Sequence, residues 1–175
     1  LENVSCGDAA IRSLLEEIVG ACMYRSNTLA GGKAFILTGT GANGKSTYLK
    51  TLSHLMSEKN ISSLDLKQLG DRFSTVMMFG KLAIIGDDIS NEFVTDTSLF
   101  KKVVTGETID AEQKGQPKFD FKPFCKLLFS ANNIPRMGKG SDSQAIMRRL
   151  VIVPFNAKFK SNDPNFRPGI EDELK

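Results

Sequence analysis

The stretch Gly39-Thr40-Gly41-Ala42-Asn43-Gly44-Lys45-Ser46 constrains this chain more than any other part of it. It fits the spacing G-x-x-x-x-G-K-[ST], in which glycines let the backbone curl until successive N–H groups converge on phosphate oxygens. A chance glycine turn would carry no particular context, and here the context is complete. Ala34-Phe35-Ile36-Leu37-Thr38 is a short apolar run that reads as a buried strand. From Ser46 onward Tyr48, Leu49, Leu52, Leu55 and Met56 recur at helical spacing. Strand, loop and helix in that order aim the positive end of a helix at a bound anion. Residues Gly39 to Thr47 are therefore the expected binding segment for ATP with Mg²⁺. Lys45 reaches the β- and γ-phosphates as a point charge, the Ser46 hydroxyl coordinates the metal, and Thr47 stands behind it.

The rest of the chain reads as the scaffold such a loop needs. Ile11, Leu14, Leu15, Ile18, Val19 and Cys22 recur at three- and four-residue steps, predicting an amphipathic helix from Asp8 to about Tyr24 that packs on the main sheet. A weaker strand is expected near Ile61–Leu64, followed by a helical stretch from Asp65. Lys81–Gly86 reads as a buried strand that ends in two aspartates, and a helix is expected over Thr97–Val104. Alternating residues around the Lys114-Gly115-Gln116-Pro117 turn predict a hairpin between Glu107 and Pro123. The strand Lys126–Ser130, a helix over Asp142–Met147 and the strand Leu150–Pro154 close the pattern. Alternating strands and helices imply an α/β fold: a mainly parallel five-stranded sheet flanked by helices, with an inserted β-hairpin and its ligand at the carboxyl ends of the strands. The expected organisation is an N-terminal helical segment over residues 1–30, a P-loop ATPase core over 31–155, and a polar tail or the start of a following segment over 156–175.

Composition excludes several alternatives. A chain of 175 residues with 41% hydrophobic and 25% charged side chains fits one globular domain. No apolar run approaches the roughly eighteen residues that span a bilayer, so no membrane partner is expected. The opening Leu1-Glu2-Asn3-Val4 resembles neither a signal peptide nor a native start, so a piece of a longer, cytoplasmic polypeptide is expected. Cys6, Cys22 and Cys125 are far apart and odd in number, which suits a reducing interior and offers no zinc-ligand spacing. The formal charge of +3 is mild, so affinity for nucleic acid has to come from locally placed cations.

Further residues fall where an NTPase needs them. A carboxylate at the end of a second strand holds the metal, and a second one polarises the attacking water. Asp87 and Asp88 are expected in those roles, provided the chain turns at Gly86–Asp88, because adjacent residues on a regular strand point to opposite faces. Asn132, at the end of the Lys126–Ser130 strand, offers an amide to orient that water; Asn133 is a weaker alternative. Arg148 and Arg149 precede the last strand, where arginines often serve as surface ion-pair partners. In ring ATPases an arginine in this place reaches the γ-phosphate of the neighbouring subunit, and Arg148 is slightly preferred. In the hairpin Lys114 sits at the turn, with Lys118 and Lys122 following at every fourth place. These are either DNA-phosphate contacts projecting into a pore or solvated surface lysines.

Taken in order, strand-GTGANGKST, LAIIGDD, TGE…EQKGQPKFDF, KLLFSANNIP and AIMRRLVIVPF resemble a superfamily 3 helicase, most closely the phage, plasmid and poxvirus-type primase-helicase group. The likeness runs from Gly31 to Phe155. It implies an AAA+-like core, a homo-oligomeric ring, generally a hexamer, moving 3′ to 5′ on single-stranded DNA. It further implies a primase domain elsewhere on the full chain and replication of a phage or plasmid in a bacterial host. By motif, Lys45 and Ser46 carry over as phosphate and metal contacts and Asp87 and Asp88 as the acidic pair. Asn132 carries over as sensor, Lys114 as the hairpin's DNA contact, and Arg148 or Arg149 as the finger. Many members have glutamate where this chain has Asp88. Competing readings are a P-loop kinase, a protein-remodelling ATPase, and a replication initiator or loader that assembles partners without unwinding.

Overall fold

The computed structural model describes residues 1–28, 31–89, 97–134, 141–162 and 166–174, with the side chains of 87–89, 141 and 171 outside the description. Its centre is a five-stranded sheet built from β1 (Ala34–Thr38), β2 (Ile61–Ser63), β3 (Ala83–Ile89), β6 (Lys126–Ala131) and β7 (Leu150–Pro154), in the order β2-β3-β6-β1-β7. Every pairing in it is parallel. The expected hairpin is present as a separate antiparallel pair, β4 (Ile109–Ala111) and β5 (Phe119–Phe121). Helices α1 (Ala9–Met23), α2 (Lys45–Met56), α3 (Ser98–Thr105), α4 (Ser141–Met147) and α5 (Ile170–Glu173) complete the described elements. No described helix is long and apolar enough to cross a membrane.

Strand alternation sorts the core into two faces. Ala34, Ile84, Leu127 and Phe129 join Leu64, Met78, Phe100 and Val103 in one cluster. Phe35, Leu37, Ala83, Leu128 and Val153 join Leu15, Ile18, Leu49 and Leu52 in the other. The central strand β6 is buried at all six positions, as a strand covered on both faces must be. Helix α1 starts where Asp8 caps it, with Oδ1 accepting from the N–H groups of Ala10 at 2.9 Å and Ile11 at 3.1 Å. It is tied to α2 by the Tyr48 hydroxyl, which donates to the Leu15 carbonyl at 2.8 Å. At the start of β6, buried Lys126 donates from Nζ to the carbonyls of Tyr24 and Phe124, each at 2.8 Å, joining the end of α1 to the sheet. Burial pushes the Cys22 and Cys125 thiols up to about 12, so neither is a thiolate at neutral pH.

Two local expectations are revised. The stretch from Asp65 forms short 3₁₀ turns over Gln68–Gly70 and Thr75–Met78 instead of a regular helix. Gly70 interrupts it, and the Ser74 hydroxyl donates to the Asp71 carbonyl at 2.7 Å, a local bond that competes with helix. The strand expected to stop at Gly86 runs on through both aspartates to Ile89. It does so through a register shift: Gly86 pairs with Phe129 and Ile89 with Ala131, so Asp87 and Asp88 together fall opposite Ser130.

Gly86 makes that passage possible. A Cβ there would lie 2.6 Å from Cδ1 of Phe129 and 2.7 Å from the Leu64 carbonyl oxygen. Gly86→Ala is expected to lower stability by about 1–3 kcal/mol through overpacking. In urea unfolding the midpoint should fall with an unchanged slope, and a midpoint equal to wild type would show that the sheet absorbs the methyl group.

Candidate functional site

The parallel sheet brings four strand ends level. Thr38 of β1 is in register with Ala131 of β6 and Pro154 of β7, and Ala131 is in register with Ile89 of β3. The segments that leave those ends therefore share one edge. They are the loop from Gly39, the amide side chains from Asn132, and Phe155 with the residues after it. The Gly39 N–H donates to the Ala131 carbonyl at 3.2 Å, fastening the loop directly to the end of β6. Asn132 and Asn133 are exposed at this edge. Asp87 and Asp88 reach it by backbone position within the register shift; their side chains lie outside the described part.

The loop is a tight cradle. Gly39 has φ 147°, and a Cβ on it would collide with the Phe155 carbonyl oxygen and come within 2.5 Å of Asn43 Nδ2. Gly44 has φ 88° and forms the N-cap of α2, where no side chain caps the helix. Those N-terminal peptides face the loop with their positive end. Lys45 is buried, and its Nζ donates to the Gly39 carbonyl and to Asn43 Oδ1 at 3.3 Å. The cation thus sits inside the curl of its own loop, the place a phosphate oxygen would take in the expected complex. Ser46 is exposed beside it and Thr47 half-buried.

The segment after β7, expected as a polar tail, runs back over this loop. The Phe155 N–H donates to the Thr38 carbonyl at 2.7 Å, Asn43 Nδ2 donates to the Phe155 carbonyl at 3.2 Å, and the Phe159 N–H donates to the Ala42 carbonyl at 2.8 Å. Lys158 reaches the loop tip. Its Nζ donates to the Thr40 carbonyl, to Thr40 Oγ1 at 2.8 Å and to the Gly41 carbonyl at 3.2 Å. No spacing rule points from Lys158 to a loop more than a hundred residues earlier. The hint in the sequence was only that a cation follows the last strand by a few residues.

The arginines do not join this cluster. The Arg149 carbonyl accepts from the Ala34 N–H at 2.8 Å and the Arg148 carbonyl from Lys33 Nζ at 2.5 Å, which fixes both at the opposite edge of the sheet. The length of β7, about 15 Å at strand rise, separates them from their own loop. Arg148 is exposed, whereas Arg149 is half-buried, with Nη1 donating to the Ala145 carbonyl at 2.7 Å and Nε buried without a partner.

The hairpin lysines also differ from one another. Lys114 is exposed at the turn, while Lys118 lies 3.6 Å from Asp110 and 3.8 Å from Glu112. Glu112 is held in turn by a two-pronged bond to Arg72, at 2.9 and 2.7 Å, which lowers its pKa. Phe79 packs edge-on to Phe119 and Phe121 at 5.1 and 5.3 Å, anchoring the base of the hairpin. Among the described residues no group of three His, Cys, Asp or Glu is placed to hold a metal by itself.

A parallel β2-β3-β6-β1-β7 sheet with a glycine cradle leaving β1, beside the central β6, defines the class: an α/β P-loop NTPase fold. The chain belongs to DUF5906, a family of unknown function whose pattern matches residues 37–149. A candidate helicase, L207/L206, of Acanthamoeba polyphaga mimivirus is 28% identical over 159 residues, covering 87% of this chain and 16% of that protein. A candidate helicase, 184R, of Invertebrate iridescent virus 6 is 25% identical over 139 residues, 73% of this chain and 14% of that protein. The chain thus spans a small part of the curated relatives it matches. The fold is shared with the C-terminal region of NrS-1 at a TM-score of 0.74, with 22% identity over 99% of this chain and 40% of that one. It is shared more distantly with the JCV helicase, at a TM-score of 0.51 with 15% identity over 87% of this chain and 42% of that one.

Lys158→Met removes the three bonds at the loop tip. Because Lys158 is exposed, thermal stability should barely change, while affinity for ATP should fall by about three- to tenfold. Titration calorimetry reads this directly, and wild-type affinity in the variant would show that the tip holds its shape unaided.

Proposed function

We propose that this chain is the ATP-hydrolysing motor of a nucleic-acid helicase of superfamily 3, acting as one subunit of a ring that moves on single-stranded DNA. The observation that carries this reading is the row of level strand ends, Ile89, Ala131, Thr38 and Pro154, which brings loop, acidic pair and asparagine to one edge. The helicase names of two viral relatives support it. A role in phage or plasmid replication, a hexameric ring and a primase domain on the full-length chain belong to the same proposal.

The residues fit ATP and Mg²⁺ in one testable respect: the glycine cradle holds a buried ammonium, Lys45 Nζ, on oxygens of the loop itself, the Gly39 carbonyl and Asn43 Oδ1. Lys45 transfers from those loop oxygens to the terminal phosphates, and the N–H groups of Gly41 to Ser46 surround the rest. Ser46 and Asp87 would hold Mg²⁺, which would supply positive charge that neutralises the phosphates. Asp88 accepts the proton of the attacking water, and Asn132 orients that water by hydrogen bonding. The exposed guanidinium of Arg148 serves the pocket of the neighbouring subunit, since its own pocket is a strand length away. Lys114 contacts DNA phosphates from the hairpin tip, and Lys118, engaged by two carboxylates, contributes less.

The first experiment is ATP hydrolysis with and without single-stranded DNA of arbitrary sequence, at protein concentrations that favour assembly. DNA should stimulate turnover, and Lys45→Ala should abolish it. Turnover indifferent to DNA would favour a protein remodeller, and sequence-selective duplex binding an initiator. Arg148→Ala should bind ATP normally yet hydrolyse it at least tenfold more slowly. Mixing it with Lys45→Ala subunits should restore part of the activity; no recovery would remove the role in trans.

A further inference from the structure

A cleft of about 420 Å³ opens between α2 and the C-terminal segment, lined by Thr47, Lys50 and His54 on one side and by Phe166, Arg167 and Asp172 with the Pro168–Ile170 turn on the other. That volume lies within the range of small-molecule sites. No residue assigned to hydrolysis above lies in it except Thr47, which borders both the loop and the cleft.

The placement decides what the cleft can take. Thr47, Lys50 and His54 stand three and four residues apart, so they form one stripe along α2. At the helical rise that stripe runs about 10 Å away from the loop. It begins with Thr47, one residue after Ser46, and Thr47 lines the cleft, so a phosphate chain that left the cradle past Ser46 would continue into it. The stripe is comparable in length to a sugar with its base.

The walls match those two parts. Phe166 presents a partly exposed ring, 37% accessible, beside the apolar surface of Pro168 and Ile170. An aromatic face open to a cleft suits a flat heteroaromatic base. Asp172 offers a carboxylate that can accept from sugar hydroxyls, and the chain's single histidine, His54, adds a polar group at the far end. Arg167 is held at the rim by an ion pair with Glu173, which fixes the segment that carries Phe166.

We infer that this cleft is the nucleoside pocket: the base stacks on Phe166, the sugar lies along Thr47 and Lys50, and the C-terminal segment closes the site that the loop opens. The inference rests on the triphosphate reading of Gly39–Ser46. It makes Phe166–Ile170 and Asp172 part of the binding site, and it makes affinity depend on the base as well as on the phosphates.

Titration calorimetry of the 175-residue chain with ATP and, separately, with inorganic tripolyphosphate tests it. Wild type should bind ATP at least tenfold more tightly than tripolyphosphate, as stacking of one base provides. Phe166→Ala should lose about tenfold in ATP affinity and nothing in tripolyphosphate affinity, with Phe166→Tyr restoring the ATP value. Lys45→Ala should weaken both ligands. Equal binding of the two ligands by wild type, or an unchanged ATP affinity in Phe166→Ala, overturns the pocket and leaves the phosphate loop standing. Binding of neither ligand by wild type overturns the triphosphate reading and the pocket with it.

Discussion

Parallel pairing is the constraint on which the site depends. When every strand of a sheet runs the same way, each delivers its last residue to one edge, and loops far apart in sequence become neighbours without any side chain directing them there. Here Thr38, Ala131, Ile89 and Pro154 stand in one row. The backbone bond from Gly39 to Ala131 then fixes the phosphate-loop geometry to the central strand. Because β6 is buried at every position, it cannot slip by one residue without turning Leu127 and Phe129 into the wrong core cluster. The register that places the loop is therefore the register that satisfies the core.

What the sequence made legible follows from locality. The loop, the helix behind it and the apolar runs of β1, β6 and β7 are each written in fewer than twenty consecutive residues. The extent of β3 was not legible, because a one-residue register shift depends on what lies opposite. It is the shape of Phe129 and the Leu64 carbonyl against Gly86 that sets it. The 3₁₀ turns after Asp65 were missed for a different reason. Leu66 and Leu69 are buried at a three-residue step that reads as helix, while Gly70 and the Ser74 hydroxyl deny the backbone one.

The least legible part was the segment after β7. Polar composition read as a tail, yet three of its positions, Phe155, Lys158 and Phe159, hydrogen-bond to the end of β1 and to the phosphate loop. Composition reports whether a segment can bury apolar surface, and this one buries little beyond Phe155 and Ala157. It is held instead by the backbone bonds of Phe155 to Thr38 and of Phe159 to Ala42, and by the side-chain bonds of Asn43 and Lys158. A curled anion cradle necessarily turns half of its peptide groups away from the ligand, and those oxygens need donors. The strap supplies them, so its presence is a consequence of the cradle.

The same geometry bears on why an isolated chain would be a poor catalyst under the proposed reading. Among the described residues, Lys45 and Lys158 are the cations that bond to the loop, and both do so through loop oxygens. Lys158 faces the outward carbonyls and cannot reach the inside of the curl without releasing the tip. Arg148, exposed and a strand length from its own loop, would on that reading serve another copy. Charge that develops on a terminal phosphate in the transition state would then meet one ammonium from its own chain and a guanidinium from the next. Under the proposed function, coupling of hydrolysis to assembly would arise from where β7 begins and ends: its carboxyl end leads into the strap over one loop, and its amino end follows Arg148, which would complete the neighbour's pocket.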